Sequence, residues 1–308
     1  MLCFSGFQNN HKKKLTQVNQ PKSFAKPKDL LNKNYIKVFM IPQIIFLGTG
    51  GDCFVVGKQL RASGGIIIRA EGMQFHIDPG PGALVRAEQY DVNLRENTCI
   101  LVSHNHLNHA NDINAVISAM THAGLDKKGV LISNRTVISG NNNIDTILLN
   151  FYKNCLERYI IVKENQKIGV GDIEIRTTPT KHGIENIGFK FITPEFSLSY
   201  VSDTSYFTGL AEPHKDSDIL ILNVVNPSGV NSKTNLNSDD AVKIINIVKP
   251  KLAIIQHLGI KMLEADPMYE AREIQKKTYT QVIAAKDGMA INPLSYSSSL
   301  RQKTLKNF

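Results

Sequence analysis

Tryptophan is missing from this 308-residue chain and cysteine is scarce: Cys3, Cys53, Cys99 and Cys155 stand far apart, with no C-x-x-C pair among them. That scatter argues against a disulfide framework and a zinc ribbon, and it fits a reducing, cytoplasmic compartment. Long apolar runs are lacking too. No stretch approaches the roughly 18 uninterrupted apolar residues of a membrane span, so no membrane partner is expected. The N-terminus, MLCFSGFQNNHKKK, sets its charges after a very short apolar run, the reverse of a secretory signal. Acidic residues are rare in one region only. Residues 1–39 hold eight lysines against a single acid, Asp29, and so carry +7 of the chain's net charge of +9.

What is present suffices for a globular protein: 42% of the residues are hydrophobic and 20% charged. The sequence divides into an arm, residues 1–39, which is lysine-rich, aperiodic and expected to be disordered, and a folded domain over residues 40–308. As a polycation the arm would bind nucleic acid through phosphate neutralisation. As a solvated tail, or as an extension upstream of a start at Met40, it would need no partner. Both readings remain open.

From Met40 the pattern becomes one of short apolar runs broken by Gly, Pro and Asn: PQIIFLGTGG, GGIIIRA, GMQFHIDPGPG and TCILVSH. These are strand signals with turn chemistry between them. The first three follow one another too closely for intervening helices and predict an antiparallel meander near 42–78. A helix near 82–89 and a strand at 98–103 come next. Ile113, Val116, Ile117 and Met120 then share one face of a helix beginning at or just after His109. Further strands are expected at 131–133, 172–179, 188–193, 197–203, 218–226 and 251–257. Between the last two lies an amphipathic helix, SDDAVKIINIVK, with Ser238 as its expected N-cap. EADPMYEAREIQKKT and QVIAAKDGMAI read as a closing helix and strand. Two strand-rich halves, each ending in helices, predict an α/β fold of four layers, an αββα sandwich.

Within SHNHLNHAND, His104, His106 and His109 fall inside six residues on a strand-to-helix loop. His182, Asp203 and His257 each end a strand of their own. Strand ends are where sheet-based folds place their sites. Imidazole suits zinc, an H-x-H pair offers two ligands from one short loop, and a carboxylate such as Asp203 can bridge two metals about 3.5–4 Å apart. Taken singly, Asp203 could equally be a turn acid or helix cap, and His257 a hydrogen-bonded core histidine.

The pattern H-x-H-x-N-H, with His182, Asp203 and His257 following in that order, resembles the H-x-H-x-D-H motif and downstream ligands of the metallo-β-lactamase-fold hydrolases. FLGTGG at 46–51, IDPGPG at 77–82, SDT at 202–204 and QHLGIKM at 256–262 extend the likeness over roughly residues 42–292. The resemblance implies a first zinc on His104, His106 and His182, and a second on His109 and His257 with the residue at 108. Asp203 would bridge the two and orient the water. It also implies that Asp78 holds the metal loop by hydrogen bonds, where the plain alternative is a turn acid before Pro79. Zinc lowers the pKa of bound water from about 16 to about 7, so a hydroxide nucleophile would be available at neutral pH. His11, His76, His122 and His214 match no motif.

Two departures stand out. Asn108 occupies the expected aspartate position and, being neutral, makes a weak or absent ligand; Asp112, one helical turn on, is a candidate substitute. Asn235, in TNLNSDD, stands where relatives often carry histidine. The second metal is therefore expected to be labile, absent, or a divalent ion other than zinc. FLGTGG and SDT lean toward the ribonuclease Z and phosphodiesterase side of the fold, with a small-molecule or nucleotide-type substrate, although 134–160 is unlike the tRNA-gripping arm of ribonuclease Z. The expected function is a metal-dependent hydrolase of a phosphodiester or related ester. The alternative is a catalytically weakened or inactive member that works as a metal- or ligand-binding module.

Overall fold

A computed structural model describes residues 41–298; the lysine-rich arm at 1–39, with His11, lies outside them. The first half opens with β1 (Gln43–Gly48), α1 (Cys53–Gly57), β2 (Ser63–Ala70) and β3 (Met73–Ile77). Both strand pairs are antiparallel, as the close-set apolar runs predict. Helix α1 corrects that reading, which left no room for a helix. Asp52 caps it by accepting from the Val55 N–H at 2.8 Å, and the fully buried Val55 anchors it.

Then come α2 (Ala83–Gln89), β4 (Asn97–Val102), α3 (Leu107–Ala110), α4 (Ile113–Thr121), β5 (Val130–Ser133), α5 (Arg135–Ser139), α6 (Asn150–Cys155) and β6 (Arg158–Ile161). The helix expected from His109 is thus two helices. A four-residue turn, α3, carries Asn108 and His109, and α4 buries the predicted face of Ile113, Val116, Ile117 and Met120 completely.

The second half runs through β7 (Lys167–Val170), β8 (Ile173–Pro179), β9 (Ile187–Ile192), β10 (Ser197–Val201), β11 (Ile219–Asn226), β12 (Leu236–Asn237), α7 (Ser238–Val248), β13 (Leu252–Gln256), α8 (Ile260–Glu264), α9 (Pro267–Thr278), β14 (Gln281–Ala284) and β15 (Ala290–Ile291). The cap of α7 is Asn237, not Ser238. Pairing of β12 with β11 keeps Asn237 extended, and its side-chain oxygen accepts from the Asp240 N–H at 2.9 Å.

One sheet has the order β15-β1-β2-β3-β4-β5-β6 and the other β14-β13-β11-β10-β9-β8-β7, with β12 beside β11. Alternation along β1 shows how the layers arise. Ile44 and Phe46 face the core between the sheets, while Ile45 and Leu47 face the helices. Phe75 and Phe191 meet edge to face across the inter-sheet core with centroids 5.5 Å apart. A second core lies between the first sheet and α2 and α4, a third between the second sheet and α7 and α9. The architecture is the expected αββα sandwich. No described helix is long and apolar enough to cross a membrane.

His214, just before β11, is fully buried with neither ring nitrogen hydrogen-bonded, and burial, with Lys190 nearby, pushes it down to about 3. Between that value and the roughly 6.5 of an unfolded chain, only the unfolded state takes the proton, so stability falls as pH drops through this window. We expect the His214 contribution to urea stability to be constant above pH 7 and to decline on the order of a few kcal/mol by pH 4. His214→Phe should remove part of that slope; an unchanged slope would contradict the assignment.

Candidate metal centre

The six sequence-predicted residues meet at one edge of the sandwich. His104 follows the end of β4, His106 caps α3 and His109 lies within it. His182 follows β8, Asp203 follows β10 and His257 follows β13. The ring nitrogens converge: His104 Nε2 is 2.9 Å from His106 Nδ1, which is 3.2 Å from His182 Nε2. Asp203 Oδ2 lies 3.3 Å from His109 Nε2 and 3.9 Å from His104 Nε2, and its Oδ1 is 3.2 Å from His257 Nε2. Two groups, His104–His106–His182 and His104–His109–Asp203, each bring their donor atoms within 4.8 Å of one another.

The other ring nitrogens of His104 and His182 are tethered, which fixes those two rings. Ser103 Oγ lies 2.9 Å from His104 Nδ1, and the Thr234 carbonyl 2.9 Å from His182 Nδ1. Asp78 lies at the centre of a hydrogen-bond group on the histidine loop. Its carboxylate accepts from Ser103 N (2.7 Å), Ser103 Oγ (2.8 Å), Tyr200 Oη (2.6 Å) and His109 Nδ1 (2.9 Å). Asn223 donates to Asp203 Oδ1 at 2.8 Å and is itself held by Gln256. Asp78 and His257 both adopt left-handed backbone, at φ 51° and 62°, a strained conformation that persists only where the surroundings enforce it.

Two glycines allow the close approach. A Cβ on Gly51 would lie 2.1 Å from the His257 carbonyl oxygen, and one on Gly80 2.1 Å from that of Asn108. FLGTGG and IDPGPG are therefore spacers that let the metal loop and the His257 turn pack backbone on backbone.

Charge is distributed unevenly. Burial, then the neighbouring His109, hold His104 well below the ordinary imidazole range, and burial, then His182, lower His106. Both rings are unprotonated at neutral pH. Burial also works against a proton on His109, but Asp203 and Asp78 outweigh it and push it up to about 10. Burial opposes ionisation of Asp203, yet His257 and His109 hold its carboxyl well below the usual carboxylate range. The His104–His106 side is thus neutral and donor-rich, and the His109 side is already a cation against a carboxylate.

Asn108 belongs to that second side. Its Nδ2 donates to the Gly51 carbonyl at 2.9 Å and lies 3.4 Å from His257 Nε2. Asp112 is not a substitute: its Oδ2 accepts from the Ala83 N–H at 2.9 Å and its Oδ1 from Asn111 at 2.8 Å, which ties it to the start of α2. Asn235 lines the cleft above the centre, beside Thr234. Sequence reasoning missed Tyr200, Thr234 and Asn223. The signal for Asn223 was there, a lone polar residue inside the apolar run DILILNVVN.

A beta-lactamase superfamily domain matches residues 74–258. An uncharacterized protein of Methanocaldococcus jannaschii is 32% identical over 256 residues, 82% of this chain and 96% of that protein. A ribonuclease Z of Borreliella burgdorferi is 27% identical over 154 residues, 48% of this chain and 47% of the relative, so that likeness spans about half of each. The metallo-beta-lactamase fold protein YhfI from Bacillus subtilis superposes with a TM-score of 0.69 at 18% identity, over 82% of this chain and 99% of its own, a likeness of fold. By the domain match and by the extent of its archaeal relative, the chain belongs to the beta-lactamase superfamily.

Proposed function

We propose that the protein is a metal-dependent hydrolase acting on a phosphodiester or related ester. The observation that carries this reading is the convergence of His104 Nε2, His106 Nδ1 and His182 Nε2, two of the three rings being tethered through their other nitrogen. Three imidazoles converging in this way suit zinc. The other side fits an ion less well. His109 Nε2 is buried without a hydrogen-bond partner and faces Asp203 and His257, as a ligand would, but Asn108 contributes no charge. The likeness to a ribonuclease Z favours the phosphodiester.

A divalent ion held by the three histidines would supply a Lewis acid and a hydroxide-forming water near neutral pH. Asp203, fixed by Asn223, would accept the hydrogen bond that aims the water. Buried Tyr200 stays a phenol, its proton held by burial and by Asp78, and so donates to Asp78, which keeps the metal loop in register.

Elemental analysis should find one tightly held ion per chain, and bis(4-nitrophenyl) phosphate should be turned over with Zn²⁺, Mn²⁺ or Fe²⁺ added. His106→Ala should lower both metal affinity and turnover by more than about 100-fold, beyond the usual effect of a residue that only supports a ligand. A bound ion with no turnover of any phosphodiester, ester or thioester would end the hydrolase reading. It would favour the second reading, a metal- or ligand-binding module, which the neutral Asn108 amide beside His257 already supports.

A further inference from the structure

The cleft over the centre has a volume of about 680 Å³ and walls of uneven chemistry. Val56, Pro81, Leu107 and Val225 line it with apolar side chains, and Asn111 and Asn235 with neutral polar ones. Leu107 is 63% exposed although it sits between His106 and Asn108, at the centre itself. Among the described residues no lysine or arginine lines this space. Of the lining carboxylates, Asp203 belongs to the centre. Asp52 is occupied by the backbone N–H groups of Val55 (2.8 Å) and Ile260 (2.7 Å).

Resting on the hydrolase reading, we infer that this cleft selects an ester with a single anionic group, seated at the metal, and a neutral apolar body laid against Leu107 and Val56. A second phosphate in the cleft would find, among the described residues that line it, neither a guanidinium nor an ammonium group, the donors that phosphate recognition uses, and would lie near Asp52 and Asp203. An aryl or alkyl group covering some 50–60 Å² of apolar surface would gain about ten-fold in affinity. A polynucleotide threaded through the cleft gains nothing comparable and brings uncompensated charge. Leu107, in α3, and Val56, in α1, are then specificity determinants.

Calorimetric titration of the zinc-loaded protein tests this with three probes: inorganic phosphate, phenyl phosphate and adenosine 3′,5′-bisphosphate. Phenyl phosphate should bind about ten-fold tighter than inorganic phosphate, and the bisphosphate no tighter than inorganic phosphate. Leu107→Asn and, independently, Val56→Asn should each erode the phenyl advantage by several-fold, with zinc content checked for each because Leu107 adjoins His106. Equal affinities for phosphate and phenyl phosphate, tightest binding of the bisphosphate, or no phosphate binding at all would each overturn the inference. Phenyl preference without turnover of any phosphodiester, ester or thioester would sink the hydrolase reading and leave the cleft chemistry standing. Turnover without preference would sink the cleft chemistry alone.

Discussion

Asn108→Asp should raise the number of tightly bound metal ions from one per chain to two, with an affinity gain at the second site of at least about 100-fold, since a charged ligand contributes more than the supporting residues whose loss costs 10- to 100-fold. Local geometry adds a less obvious expectation. In the native chain the Asn108 amide donates to the Gly51 carbonyl and faces His257 Nε2. A carboxylate there would set oxygen against oxygen and lose the hydrogen bond, at a cost of about 1–3 kcal/mol. The variant should therefore be less stable than the native protein in a chelator and more stable with metal added. Metal counting and melting with and without chelator read both arms. Unchanged stoichiometry would contradict the account of why the second site is weak.

Asp78→Ala should be the most damaging single change. The carboxylate accepts four hydrogen bonds, three of them at Oδ2, and its loss strands the Ser103 N–H, the Tyr200 hydroxyl and the His109 imidazolium in a dry interior. At about 1–3 kcal/mol for each unpaired buried donor, a loss on the order of 5 kcal/mol is expected, enough to unfold a marginal domain. Where the variant can be purified, metal affinity should fall with it. Tyr200→Phe separates the contributions. It removes one donor along with one of the links between the sheets, and should cost about 1 kcal/mol while leaving the histidine loop in place. A mild Asp78→Ala phenotype would mean that the loop is held by something else.

Much of this was legible in the sequence because period and spacing are local. Alternating apolar residues gave the strands, the face of Ile113, Val116, Ile117 and Met120 gave α4, and three histidines inside six residues marked the centre. What escaped was set by partners distant in the chain. Helix α1 depends on Asp52 and a buried Val55 within a stretch that reads as a link between strands. The segment 134–160 carries α5, α6 and β6 on weak local patterns and takes its form from packing against α4 and β5. The role of Asp78 cannot be read from IDPGPG, because two of its partners, His109 and Tyr200, are named only by the fold. Asp112, a plausible ligand by helical spacing, was claimed by the Ala83 N–H, a contact that no periodicity contains.

The hydrogen bond from Tyr200 to Asp78 joins one sheet to the other across 122 residues of sequence, and the candidate ligands likewise come from both halves of the chain. On a ribosome the N-terminal half emerges first, with His104, His106 and His109 but without His182, Asp203 or His257. A nascent chain can therefore hold only a partial set of donors, and the full set forms after β13 has docked. Tight metal uptake would then wait for the second sheet to supply His182, and a chain truncated before His182 should fail to retain metal however well β1 to β6 form.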